Sequence, residues 1–188
     1  GSFSPLQHGI RVAQLDPLWN NGNYYDQEKQ PTESLALAMQ MMNVAAFHAG
    51  FFERVYPRET MKDQENLESV TGQTTFEKAL NAVVMQSVPY TDLNHWIYTC
   101  RMCINYDVSR PYGGDLDKAL SRIRAKVLAV PCRQDALHPW EFITWVTDRI
   151  NTLGGNAESY ILDSDYGHMA GILRTDLFAE KVREFLDN

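Results

Sequence analysis

Apolar residues change their spacing along this chain, and the changes divide it. From Thr32 they recur at three- and four-residue steps: Leu35, Met39, Met42, Ala46 and Ala49. Such a stripe predicts an amphipathic helix with Thr32 as its N-cap, ending near Gly50. Phe51, Phe52, Val55 and Tyr56 follow and are stopped by Pro57. Residues 58–73 are polar and charged and predict an exposed connection. Thr74 or Thr75 then caps a helix carrying Phe76, Leu80, Val83, Val84 and Met85. A further helix from about Asp92 to Asn105 places Leu93, Trp96, Ile97, Cys100 and Ile104 on one face. Residues 32–106 therefore predict an all-helical region.

Before it, residues 3–31 hold turn formers and aromatic rings, with a short helix around His8–Gln14 and an ordered loop after Pro17. Within that loop Asn20-Asn21-Gly22-Asn23 favours positive φ. Beyond Pro111-Tyr112-Gly113-Gly114 the period changes. Asp115 starts a short helix, and Ala125–Pro131 is a mostly apolar run that predicts a strand buried on both faces. Pro139 opens a helix with Trp140, Ile143, Val146 and Ile150, closed by Gly154-Gly155. Ala157–Leu162 predicts a second strand, and a last amphipathic helix carries Leu177, Val182, Phe185 and Leu186. Strand–helix–strand–helix at this spacing predicts parallel pairing with helical crossovers. Two strands alone do not complete a sheet of this kind, so the expected neighbours come from elsewhere.

Composition narrows the classes. The 188 residues are 44% hydrophobic and 22% charged, which excludes a disordered or coiled-coil chain. No apolar run approaches the roughly 18–20 residues of a membrane span. Net charge is −7 with scattered basic residues, so neither nucleic acid nor an anionic membrane is an expected partner. No basic-then-apolar leader opens the sequence, and three cysteines make no disulfide framework; a reducing cytoplasm is the expectation. Cys100-x-x-Cys103 has redox spacing but falls inside a predicted helix. Cys132 and His138 lie near each other and form no recognised metal set, so no metal is expected.

Asp135 follows the first predicted strand and His168 follows the second. Ligands and catalytic groups of open α/β sheets collect at those ends. An acid and then a histidine on successive strand ends match the last two members of a nucleophile–acid–histidine triad. Read alone, Asp135 is equally a cap for the helix at Pro139, and His168 a loop histidine satisfied by backbone.

Several motifs in one order carry a resemblance: Asp16-Pro17-x-Trp19-Asn20-x-Gly22-x-Tyr24-Tyr25, Tyr90-Thr91-Asp92-Leu93-Asn94 with Arg101, Ala119–Leu128, Gln134-Asp135, and Asp163-Ser164-Asp165-Tyr166-Gly167-His168. Over nearly the whole chain they resemble the homoserine O-acetyltransferase family. The resemblance implies the C-terminal part of an α/β-hydrolase fold preceded by an all-helical lid. It divides the chain into a connecting segment (1–31), the lid (32–112) and the C-terminal portion (113–188). It also implies Asp135 as triad acid and His168 as triad base. Arg101, a mid-helix cation among apolar residues, is either a surface arginine with a buried stem or a lid residue that binds substrate. Acetyl-CoA would be the acyl donor, with no permanently bound cofactor, and an alcohol such as homoserine the acceptor. The helices of residues 32–106 carry more apolar and Met side chains than a thin lid can bury, which predicts a homodimer through the lid. No Gly-x-Ser-x-Gly elbow occurs here, so the resemblance places the nucleophile in an N-terminal half that this chain does not match. The family's acid after the histidine is Met169 here, which points to another alcohol or to water as acceptor. The rival readings are an esterase with the same triad and a non-catalytic helical module.

Overall fold

The computed structural model describes residues 4–57 and 69–187. Part of the predicted 58–73 connection, residues 58–68, lies outside the described residues. The chain separates into two units. One comprises the described residues of 1–45 and 50–105, the other 46–49 and 106–187.

The first unit is helical. It contains α1 (Ser4–Leu15), most of α2 (Thr32–Ala46) and of α3 (Ala49–Val55), α4 (Thr75–Met85) and α5 (Leu93–Asn105). Its core joins Ile10 and Ala13 of α1, Leu35 and Ala36 of α2, Val84 of α4, and Leu93, Ile97 and Cys100 of α5. Leu35, Val84, Leu93, Ile97 and Cys100 are periodic positions of the sequence, and burying them with Ile10, Ala13 and Ala36 drives the bundle together. Gly9 lets α1 approach α5: a Cβ there would stand 2.6 Å from the ring of Trp96. The chain does not continue as one helix to Gly50. It breaks at Phe47-His48, where the His48 N–H donates instead to the Asp165 carbonyl. Thr32 is the first helical residue of α2 rather than its cap; the Pro31 carbonyl in front of it accepts from Leu35 N–H and the Ser34 hydroxyl. For α4 the cap is Thr74, in a reciprocal pair with Glu77.

The loop before α2 does the capping for α5. Asn20 and Asn21 take φ of 46° and 53°, as the Asn-rich run predicts. This turn delivers Trp19 Nε1 to Asn94 Oδ1 at 2.9 Å, and the Tyr24 hydroxyl to Asp92. Tyr24 in turn accepts from the N–H groups of Leu93 and Asn94, and Asp92 from that of His95. Two separated stretches of the resemblance, 16–25 and 90–94, are thus one hydrogen-bonded cluster holding a helix N-terminus.

The second unit is α/β. Strands β1 (Val127–Ala129) and β2 (Ala157–Ser159) pair in parallel, with Val127 opposite Ala157 and Ala129 opposite Ser159. Helix α7 (Trp140–Thr152) is the crossover between them, and α6 (Leu116–Leu120) precedes β1. Val146 and Ile150 of α7 pack with Leu120, Val127 and Ala157. A second cluster holds Cys132, Leu162 and Ala170 with Leu177 and Phe178, beneath α8 (Ala170–Leu173) and before α9 (Ala179–Asp187). The strands are shorter than their apolar runs because Pro131 has no N–H to donate. Pairing nevertheless persists: Leu162 N–H reaches the Pro131 carbonyl at 2.8 Å, and Arg133 N–H the Leu162 carbonyl at 3.0 Å. Strand β1 is half-buried along its length, not covered on both faces as its composition predicted. Among the described residues the sheet has these two strands, so each has one unpaired edge. No single helix among the described residues is long and apolar enough to cross a membrane.

Candidate active site

The parallel register carries two loops side by side beyond the strand ends. One runs from Cys132 to α7, the other from Leu162 to α8. They are tied by Gln134, whose amide donates to Asp163 and accepts from Ser164 N–H at 2.9 Å. Arg133 closes the first loop by placing its guanidinium 4.7 Å from the ring centre of Trp140.

Asp135 sits at the turn of the first loop, its side chain 9% exposed. Oδ1 accepts from the N–H groups of Leu137 (2.8 Å) and His138 (2.9 Å). Oδ2 lies 2.9 Å from His168 Nδ1. Asp135 is therefore the partner of the histidine and not the cap of the helix at Pro139: its other oxygen closes the turn before α7, whose N-terminus carries no side-chain cap. Asp163 is engaged by Gln134 and does not hold the ring.

His168 lies in the short helical turn Gly167–Met169. Gly167 has φ +56°, and a Cβ on it would stand 2.9 Å from the Ala46 carbonyl and 3.1 Å from that of Gln134. Only glycine fits both the left-handed backbone and that space. It lets the backbone turn and present the histidine to the acid.

The charges agree with this geometry. The hydrogen bond to Asp135 raises His168 above the ordinary histidine range, against the opposing effect of its burial. Burial alone would raise Asp135, but the bonds from His168, His138 and Leu137 hold it below the usual carboxylate range. An ionised Asp135 accepts only, so the proton of the pair sits on His168 Nδ1 and leaves Nε2 basic. That is the tautomer a general base requires.

His138, set aside in the sequence, belongs to this cluster. Its ring stacks on that of His168, with centres 5.0 Å apart, and the two Nδ1 atoms are 3.3 Å apart. The signal for it was its i+3 spacing from Asp135 on a turn. The cluster opens on a cavity of about 230 Å³ bounded also by Val130, Pro131, Cys132, Ile143 and Gly171. No serine lines it among the described residues. Cys132 is buried, its thiol directed to Gln134 and the Ser164 carbonyl. Arg101 is an exposed residue of α5, in the helical unit. Cys100, also on α5, is a buried free thiol, and burial pushes it up to about 11, opposite to a reactive redox pair.

No family model matches the chain. A homoserine O-acetyltransferase of Geobacter metallireducens is 28% identical over 172 residues, 92% of this chain and 45% of that protein. A serine O-succinyltransferase of Stenotrophomonas maltophilia is 27% identical over 190 residues, 97% of this chain and 51% of its own. Among solved structures, homoserine O-acetyltransferase from Bacillus anthracis superposes with a TM-score of 0.90 at 37% identity, covering 100% of this chain and 49% of that one. An acetylester hydrolase from Corynebacterium glutamicum shares the fold at a TM-score of 0.75 and 20% identity, over 100% of this chain and 50% of its own. The chain spans about half the length of the relatives it matches. It is a homologue of the homoserine O-acetyltransferase family, corresponding over nearly all its length to about half of such a protein and carrying part of an α/β-hydrolase fold.

Proposed function

We propose that this chain supplies the acid–base half of an acyltransferase that moves an acetyl group from acetyl-CoA to an alcohol through an acyl-serine. The single observation that carries the reading is the 2.9 Å contact between Asp135 and His168 Nδ1 beyond two parallel strand ends. In the proposed cycle His168 Nε2 removes the proton of a serine hydroxyl, which attacks the thioester carbonyl. The resulting imidazolium, stabilised by Asp135, returns the proton to the leaving thiolate. The same nitrogen then deprotonates the acceptor hydroxyl, which takes the acyl group, and returns that proton to the departing serine oxygen. The serine, with its oxyanion hole, comes from a polypeptide segment outside these 188 residues. Arg101 is the proposed contact to substrate, and the helical unit the proposed surface for a homodimer.

The relatives' names differ in acyl group and in acceptor and share acyl transfer to a hydroxyl. Met169, half-buried directly after the base, favours a second reading in which the acceptor is another alcohol or water. The test is rapid mixing with acetyl-CoA, with and without homoserine, on the chain alone and supplemented with the Gly-x-Ser-x-Gly half of a relative. The expected result is no turnover by the chain alone and a burst of CoA on supplementation, absent in His168→Ala. Turnover by the chain alone that His168→Ala abolishes would place a nucleophile within it and overturn the proposal.

A further inference from the structure

We infer that Asp135, His138 and His168 form a site for a divalent transition-metal ion of the zinc type, and that the ion switches His168 off. The ligand atoms are Asp135 Oδ2, His138 Nδ1 and His168 Nδ1, all within 4.8 Å of one another. Their separations are 2.9, 3.3 and 4.0 Å. Zinc bound at about 2.0–2.1 Å by nitrogen and oxygen in a tetrahedron needs donors about 3.3 Å apart. The three distances straddle that value, and the longest belongs to the side chain most able to move. His138 is 54% exposed and turns its Nδ1 toward a shared ion by side-chain rotation. Asp135, by contrast, is fixed through Oδ1 to two backbone N–H groups, which leaves Oδ2 as the ligand atom. Two imidazoles and one carboxylate suit zinc, nickel or copper and not magnesium or calcium, which prefer oxygen. The cavity beside the cluster leaves a fourth position for water.

The consequence follows from which nitrogen binds. A metal on Nδ1 of His168 replaces the Asp135 hydrogen bond and moves the ring proton to Nε2. No proton is gained or lost, but the nitrogen that accepts from a nucleophile is now an N–H donor. The ion does not need to reach the reacting atoms to stop the reaction. This second step rests on the reading of His168 as general base; the site itself does not.

The test uses two readouts. Zinc is titrated into the chain by calorimetry, with cobalt as a spectroscopic probe of tetrahedral coordination, for the native sequence and for His138→Ala and His138→Gln. One zinc per chain is expected, weakened about tenfold or more in both variants, since even outer partners of ligands are worth 10–100-fold. Equal affinity in all three, or no binding up to about 1 mM zinc, would overturn the site. The second readout is acyl transfer in the supplemented enzyme, each variant compared with its own chelator-treated rate. Zinc at saturation should abolish transfer with native sequence and spare His138→Ala. Binding that depends on His138 without loss of transfer would leave the site standing and refute the switch, whereas transfer that survives His168→Ala without zinc would refute the base assignment itself.

Discussion

His168 and Asp135 meet across the ends of two parallel strands, 33 residues apart in sequence and 2.9 Å apart at Nδ1 and Oδ2. The other oxygen of the same carboxylate is spent on the backbone of Leu137 and His138. Asp135→Asn separates the two tasks. The amide keeps an oxygen for the backbone but presents an N–H toward the ring, which forces the wrong tautomer on His168. The expected outcome is unchanged thermal unfolding with turnover of the supplemented enzyme reduced by about 10³–10⁴. Asp135→Ala loses both tasks and should additionally cost about 1–2 kcal/mol of stability, because the N–H groups of Leu137 and His138 lose their charged acceptor.

Gly167→Ala tests the turn that aims the histidine. The added Cβ meets the carbonyls of Ala46 and Gln134 while the backbone remains at positive φ. A loss of about 1–3 kcal/mol is expected in urea unfolding, with turnover falling more than stability because the ring is displaced from Asp135. A variant as stable and active as the native chain would show that the turn relaxes freely.

How these features were legible differs by kind. The helices and the βαβ order followed from the period of apolar residues, because burial imposes that period. The pairing of Asp135 with His168 followed from position at strand ends, because parallel register brings those ends together. What did not follow were events decided by one backbone group: the break at Phe47-His48, where an N–H is given to Asp165, and the curtailment of both strands at Pro131. Nor did the sequence show that the second oxygen of Asp135 closes the turn at Leu137 and His138 instead of capping the helix at Pro139. His138 was missed because its meaning comes from a ring 30 residues away.

Leu37 and Val44 on α2, and Tyr98 and Met102 on α5, lie at helical repeats and are exposed, 75% for Tyr98. Apolar stripes of this kind mark interaction surfaces. If the helical unit mediates a homodimer, sedimentation velocity at micromolar concentration should show it, and Tyr98→Asp with Met102→Glu should shift the population to monomer without changing circular dichroism. A monomer in the native sequence at those concentrations would remove the homodimer.

The Tyr24–Asp92 pair should set the limits of stability in pH for the helical unit. Burial alone would raise Asp92, yet bonds from Tyr24, the His95 N–H and Tyr25 hold it below the usual carboxylate range. A carboxyl depressed in the folded state stabilises fully above its unfolded value, about pH 4, and loses that contribution as pH falls through the lower folded value. Tyr24 shifts the other way: burial, then its bond to Asp92, raise it far above the usual phenol. Its contribution is full below about pH 10 and is lost as pH rises beyond. Asp92→Asn should therefore flatten the acid limb of a urea-midpoint profile, and Tyr24→Phe the alkaline limb. Each should cost about 1 kcal/mol near neutrality for the lost hydrogen bonds. The double variant should lose less than the sum, since the two side chains share one bond. Strict additivity, or unchanged limbs in both variants, would mean that the cluster of Tyr24, Asp92 and Asn94 does not hold the start of α5 in solution.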